Sequence, residues 1–182
     1  MSGMAQSSTV YALTIDLSNV DRGVYETLDL RVARHPSETA EYLATRLLAY
    51  ALEYEDGITF SDGLSTADDP AVLVRDLTGR ITKWIEVGMP SAERLHRGSK
   101  LAGRAALYTH RDLRQVMAQI DGQGVHRAAE IPVIAFEKAF VEPLAAALDR
   151  RSQWTINVMD GQLYVESAAG SLSTPLVAAH FS

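Results

Sequence analysis

The chain has 182 residues, 47% hydrophobic and 22% charged, with a net charge of −6 and no cysteine. That length buries one sizeable core, so a single domain over residues 1–182 is expected. The absence of thiols excludes a disulfide scaffold, a zinc–thiolate site and a cysteine nucleophile, and no apolar run approaches the roughly 20 residues of a membrane span.

The opening MSGMAQSSTVYALTIDLS has no basic segment ahead of an apolar core, which predicts a cytoplasmic protein with no membrane partner. Residues 9–17 and 25–32 alternate in part between apolar and polar, and turn residues 19–23 join them, so the pattern predicts an antiparallel hairpin. Pro36, Ser37 and Glu38 then read as a helix start, with Ser37 as cap and Glu38 in the first turn. Ala40, Leu43, Leu47, Leu48, Ala51 and Tyr54 follow at helical spacing, and Gly57 ends the helix. A short strand at 58–60, a polar loop to 70, and a hairpin over 71–76 and 81–88 come next. Pro90 and Ser91 open a second helix, to about Arg104, followed by a strand at 105–109. A helix at 111–120, a strand at 131–136 and a helix at 137–149 continue the chain. Strands 153–159 and 162–167 flank Asp160-Gly161, a strong two-residue hairpin signal. The strand–helix–strand passage 84–109 calls for a parallel pair. The expected fold is therefore α/β, a mixed central sheet with flanking helices, plus N- and C-terminal hairpins.

The chemistry concentrates in VRDLTGRITKWIEVG, residues 74–88. Asp76 and Glu86 lie ten residues apart, the spacing of the acidic metal ligands in PD-(D/E)XK nucleases. On the second arm Trp84, Glu86 and Gly88 share one face, while Lys83 points to the other. Two carboxylates, with Glu41 (or Glu38, one turn earlier) from the first helix, would suit a hard ion such as Mg²⁺ or Mn²⁺. Residues 91–114 carry six bases and two acids, the only basic block of the chain. Arg94, Arg97, Lys100 and Arg104 form a helical stripe there that would grip phosphates of a nucleic acid. A plainer reading stands beside this one. Glu86 sits in an apolar stretch and needs a partner, which Arg46 or Arg75 could supply, and a basic stripe is most often a solvated face. His35 reads as a structural residue of the cap region. Phosphate-loop, dinucleotide, zincin and nucleophile-elbow patterns are absent.

Three segments carry a family likeness: ARHPSET (33–39), RLLA (46–49) and WIEVGMP (84–90). They resemble the bacterial YaeQ family, over nearly the whole chain. The resemblance implies a variant of the PD-(D/E)XK nuclease-like fold, with Asp76 and Glu86 as the two acids and Glu41 as the helix acid. The motif lysine falls on Gly88, and Lys100 is the cation placed to fill the same space. The implied function is a Mg²⁺-dependent nuclease with catalytic Asp76, Glu86 and Lys100 and phosphate-gripping Arg94, Arg97 and Arg104. The alternative is a non-catalytic binding or regulatory protein on that frame.

Overall fold

A computed structural model describes residues 7–61 and 68–182. Its strands are β1 (Thr9–Asn19), β2 (Val24–Arg34), β3 (Ile58–Phe60), β4 (Val72–Arg75), β5 (Ile81–Val87), β6 (Arg104–Thr109), β7 (Pro132–Ala135), β8 (Arg151–Met159), β9 (Gln162–Ser167), β10 (Gly170–Pro175) and β11 (Ala178–His180). The helices are α1 (Ala40–Leu52), α2 (Ala92–Leu101), α3 (Leu113–Ile120) and α4 (Lys138–Ala146).

The strands form two mixed sheets, ordered β10-β9-β8-β1-β2 and β11-β7-β6-β5-β4-β3. β5 and β6 run parallel, as the strand–helix–strand reading requires, and so do β6 and β7. The two terminal hairpins do not stand alone. β1 pairs in parallel with β8 and fuses them into the first sheet. Asp160 and Gly161 both take positive φ, the conformation that a two-residue hairpin turn demands.

α1 is buried without interruption from Leu43 to Leu52. A helix apolar on all sides must be covered on all sides. It shares one core with α4, the inner face of the first sheet and one face of the second, through residues such as Ile15, Leu47, Ile85, Leu144 and Trp154. The opposite face of the second sheet buries Trp84 and Leu107 with Leu95 of α2 and Val116 of α3. The order of layers is sheet, helices, sheet, helices.

Two local expectations are corrected. Thr39 caps α1, accepting from the Tyr42 N–H at 3.1 Å. Ser37 instead lies 2.6 Å from His35 Nδ1, one turn before the helix, so Glu38 precedes α1. α2 stops at Leu101, and Arg104 opens β6 rather than extending the helical stripe.

Candidate functional site

A cavity of about 470 Å³ lies at the carboxyl ends of β5 and β6, where α1 and α2 begin. Glu38, Asp69 and Glu86 line it together with Arg46, Arg94 and Arg111. Thr39 and Ser91, the caps of α1 and α2, also face it. Ligands of α/β proteins gather at such strand ends.

Glu86 lies in the buried half of β5 and is 3% exposed. Its Oε1 accepts from Trp84 Nε1 at 2.9 Å and from Arg94 Nε at 3.1 Å. Trp84 reaches it because alternate residues of a strand share a face. Burial pushes the Glu86 carboxyl above the usual range, against the Arg94 charge and the two hydrogen bonds. Arg94 Nη2 also donates to the Asp69 carbonyl at 2.7 Å, tying the start of β4 to α2. Glu38, equally buried, accepts from Arg46 Nη1 at 3.2 and 3.3 Å. Arg46 is held further by the Ala33 and Ser61 carbonyls and by the Phe60 ring, 5.2 Å away.

Gly88 is explained by its surroundings. It has φ +85°, and a Cβ there would lie 3.3 Å from two Tyr42 ring atoms and 3.9 Å from His110 Cε1. The space beside the motif-lysine position belongs to these two rings, which meet edge to face at 6.3 Å. Burial pushes the Tyr42 hydroxyl up to about 12, so it stays protonated.

Of the residues singled out by spacing, Glu86 and Arg94 meet in this cavity. Asp76 does not join them. The pairs Val72–Ile85, Leu73–Trp84 and Val74–Lys83 set the register, so Asp76 falls in the turn. It is fully exposed and accepts from Thr78 Oγ1 at 2.6 Å, Thr78 N at 2.8 Å and Arg80 N at 3.1 Å. Those bonds, the Thr78 hydroxyl first, hold its carboxyl below the usual range. Six strand residues at about 3.3 Å each put it on the order of 20 Å from Glu86. The acid ahead of the first arm that lines the cavity with Glu86 is Asp69, which sequence reasoning missed. A hairpin mirrors about its turn, so the signal was the Asp-Asp-Pro at 68–70 ahead of the strand.

Glu41 lies in the first turn of α1 outside the cavity lining, where its charge acts on His110. Glu38 takes the lining position instead. Lys100 is exposed in the last turn of α2 and does not line the cavity. Arg97 pairs on the surface with Asp68 at 2.7 Å. Arg104 binds the buried Glu53 at 2.8 Å, at the opposite end of β6. The basic stripe thus serves three different carboxylates. Neither expected partner of Glu86 holds it, since Arg46 belongs to Glu38 and Arg75 donates to the Gly79 carbonyl at 3.1 Å. Among the described residues no three His, Asp or Glu side chains come together as a metal site. The set Asp76, Glu86 and Glu41 does not fit Mg²⁺ in this arrangement.

The YaeQ family model matches residues 4–176. The chain belongs to the YaeQ family. It is similar to the uncharacterised YaeQ proteins of Escherichia coli K12 and Salmonella typhi, each 28% identical over 176 residues, 96% of this chain and 97% of theirs. The YaeQ crystal structure from Pseudomonas syringae superposes with a TM-score of 0.88 at 34% identity, covering 96% of this chain and 97% of that one. The YaeQ structure from Xanthomonas axonopodis pv. citri gives 0.87 at 29% identity, covering 97% and 100%. The Gly88 and Glu86 neighbourhood of this YaeQ-family chain therefore sits in a fold shared from end to end. Among the described residues no helix is long and apolar enough to cross a membrane.

Proposed function

We propose that this YaeQ-family protein binds a phosphate-bearing ligand in the Glu86–Arg94 cavity, as a binding or regulatory protein on a nuclease-like frame. The observation that carries the reading is the convergence of Arg94 with the first turns of α1 and α2 on one cavity. Helix N-termini and guanidinium groups both favour anions, and a guanidinium matches the geometry of phosphate oxygens. Glu86 and Glu38 are already balanced by Arg94 and Arg46, so an incoming anion would share Arg94 with Glu86. The test is a calorimetric titration of inorganic phosphate and of a nucleoside monophosphate into the wild type and Arg94→Ala. Saturable binding that weakens tenfold or more in the variant is expected. An absence of binding in the wild type at millimolar ligand sinks the reading.

A second reading, Mg²⁺- or Mn²⁺-dependent cleavage of nucleic acid, is favoured by one observation. Asp69, Glu86 and Glu38 line a single cavity, and Mg²⁺ is commonly held by one or two carboxylates plus substrate phosphate. Against it, the Arg94 guanidinium supplies the positive charge that Glu86 would give to a metal. A titration of Mn²⁺ into wild type, Glu86→Ala and Asp69→Ala separates the two. Metal binding lost in both variants would justify a cleavage screen on DNA and RNA, and no metal binding would end this reading.

A further inference from the structure

A second cavity, of about 460 Å³, lies at the carboxyl ends of β6 and β7 and shares His110 and Arg111 with the first. The two differ in chemistry. The first is ringed by paired charges. The second has an apolar wall of Leu113, Phe136, Pro175 and Val177. Val177 is 71% exposed, at the edge of this wall. The polar residues of this cavity offer no surplus charge. Asp112 is spent capping α3 on the Gln115 N–H at 3.1 Å, and Glu137 and Lys138 oppose each other in sign at the start of α4.

His110 forms the sill between the two spaces. Its Nδ1 is buried and has no hydrogen-bond partner among the described residues. The ring faces Tyr42 edge-on, with Arg111 and Glu41 as the charges around it. Packing against Tyr42, rather than a bond at Nδ1, holds the imidazole there. A guanidinium and an imidazole that line the same space suit the face of a flat heterocycle.

Resting on the phosphate-site reading, we propose that the ligand is a nucleotide unit, its phosphate in the first cavity and its base in the second, with His110 and Arg111 at the joint. Each cavity has the volume of an ordinary ligand site, and together they match a molecule with one charged and one apolar, planar end. A bare phosphate would leave the apolar wall uncovered.

The experiment compares AMP with ribose 5-phosphate by calorimetry, on the full chain and on Val177→Asp. Val177 is exposed, so the variant keeps the fold. AMP is expected to bind roughly tenfold tighter than ribose 5-phosphate, the typical worth of one stacked base. Val177→Asp is expected to bring AMP down to the ribose 5-phosphate level. His110→Ala is expected to weaken AMP as well. Equal affinities for the two ligands in the wild type overturn the inference and leave the phosphate site standing. If neither ligand binds, both readings fall. A short oligoadenylate distinguishes the sources. Binding at least as tight as AMP places the unit in a strand, and binding of AMP alone makes it a free nucleotide, and either result supports the two-part site.

Discussion

Gly98 lies in the middle of α2, where glycine costs about 1 kcal/mol relative to alanine, so helix propensity predicts that Gly98→Ala stabilises the protein. The packing predicts the reverse. A Cβ at residue 98 would fall within the van der Waals envelope of Trp84 Cγ, Cδ1 and Nε1. Trp84 is 1% exposed and is fixed by its Nε1 bond to Glu86, so it has no free direction in which to yield. Overpacking of this kind costs about 1–3 kcal/mol. Set against the helical gain, the net expectation is a loss of up to about 2 kcal/mol. The same displacement would move the donor that orients Glu86, so ligand affinity should fall along with stability. Urea unfolding followed by tryptophan fluorescence reads the first effect, and the calorimetric titration reads the second. A midpoint that rises at constant slope would show that α2 does not rest on Trp84, and the account of how Glu86 is held would fail with it.

Other outcomes follow from the same contacts. Burial raises the folded-state pKa of Glu86, so its contribution to stability is present below the unfolded value and lost as pH rises through the folded one. Glu86→Gln should therefore gain on the wild type with rising pH in that window, by at most about 1.4 kcal/mol per pH unit, and urea midpoints that run parallel across pH would contradict this. Glu38→Ala leaves Arg46 buried without its carboxylate and should cost about 3–5 kcal/mol, whereas Glu38→Leu with Arg46→Met should recover much of it in thermal unfolding. Gly88→Lys should destabilise by about 1–2 kcal/mol through its left-handed backbone alone and confer no Mn²⁺ binding.

The core order of the fold was legible because hydrophobic period and turn chemistry are local. The Asp160-Gly161 turn, the β4–β5 hairpin and the parallel β5–β6 pair all emerged from that signal. The fusion of the terminal hairpins was not legible. β1 and β8 are more than a hundred residues apart, and nothing in either strand names its parallel partner. β10 and β11, with the sequences GSLSTP and AAH, are too poor in β-forming residues to announce themselves. The site was half legible. Glu86 stood out as an acid in an apolar strand, but its hairpin partner was chosen by spacing. Spacing in a hairpin counts residues around the turn, whereas contact depends on reflection through it. The acid ten residues before Glu86 lies at the far end of the ribbon, and the acid just ahead of the hairpin that shares its cavity is Asp69.

The charge balance of that cavity carries a last consequence. Among the described residues Glu38, Asp69 and Glu86 offset Arg46, Arg94 and Arg111, so with every group ionised these charges leave no positive surplus for an anion. Protonating one acid creates the surplus. Glu86 is the group placed to do so, because burial already raises its pKa and it shares Arg94 with the incoming ligand. A phosphate that takes the guanidinium weakens the charge opposing protonation, so binding and proton uptake at Glu86 must be linked. The affinity for a phosphodiester, whose own charge does not change in that range, should rise as pH falls through the Glu86 window. Linkage to a single proton limits the rise to about tenfold per pH unit. Glu86→Gln should bind the same ligand with an affinity independent of pH over that window and equal to the low-pH value of the wild type. Calorimetry of a dinucleotide in buffers of different ionisation enthalpy counts the protons directly. Binding without proton uptake in the wild type would mean that the anion and Glu86 do not compete for Arg94, and the phosphate would have to be placed elsewhere in the cavity.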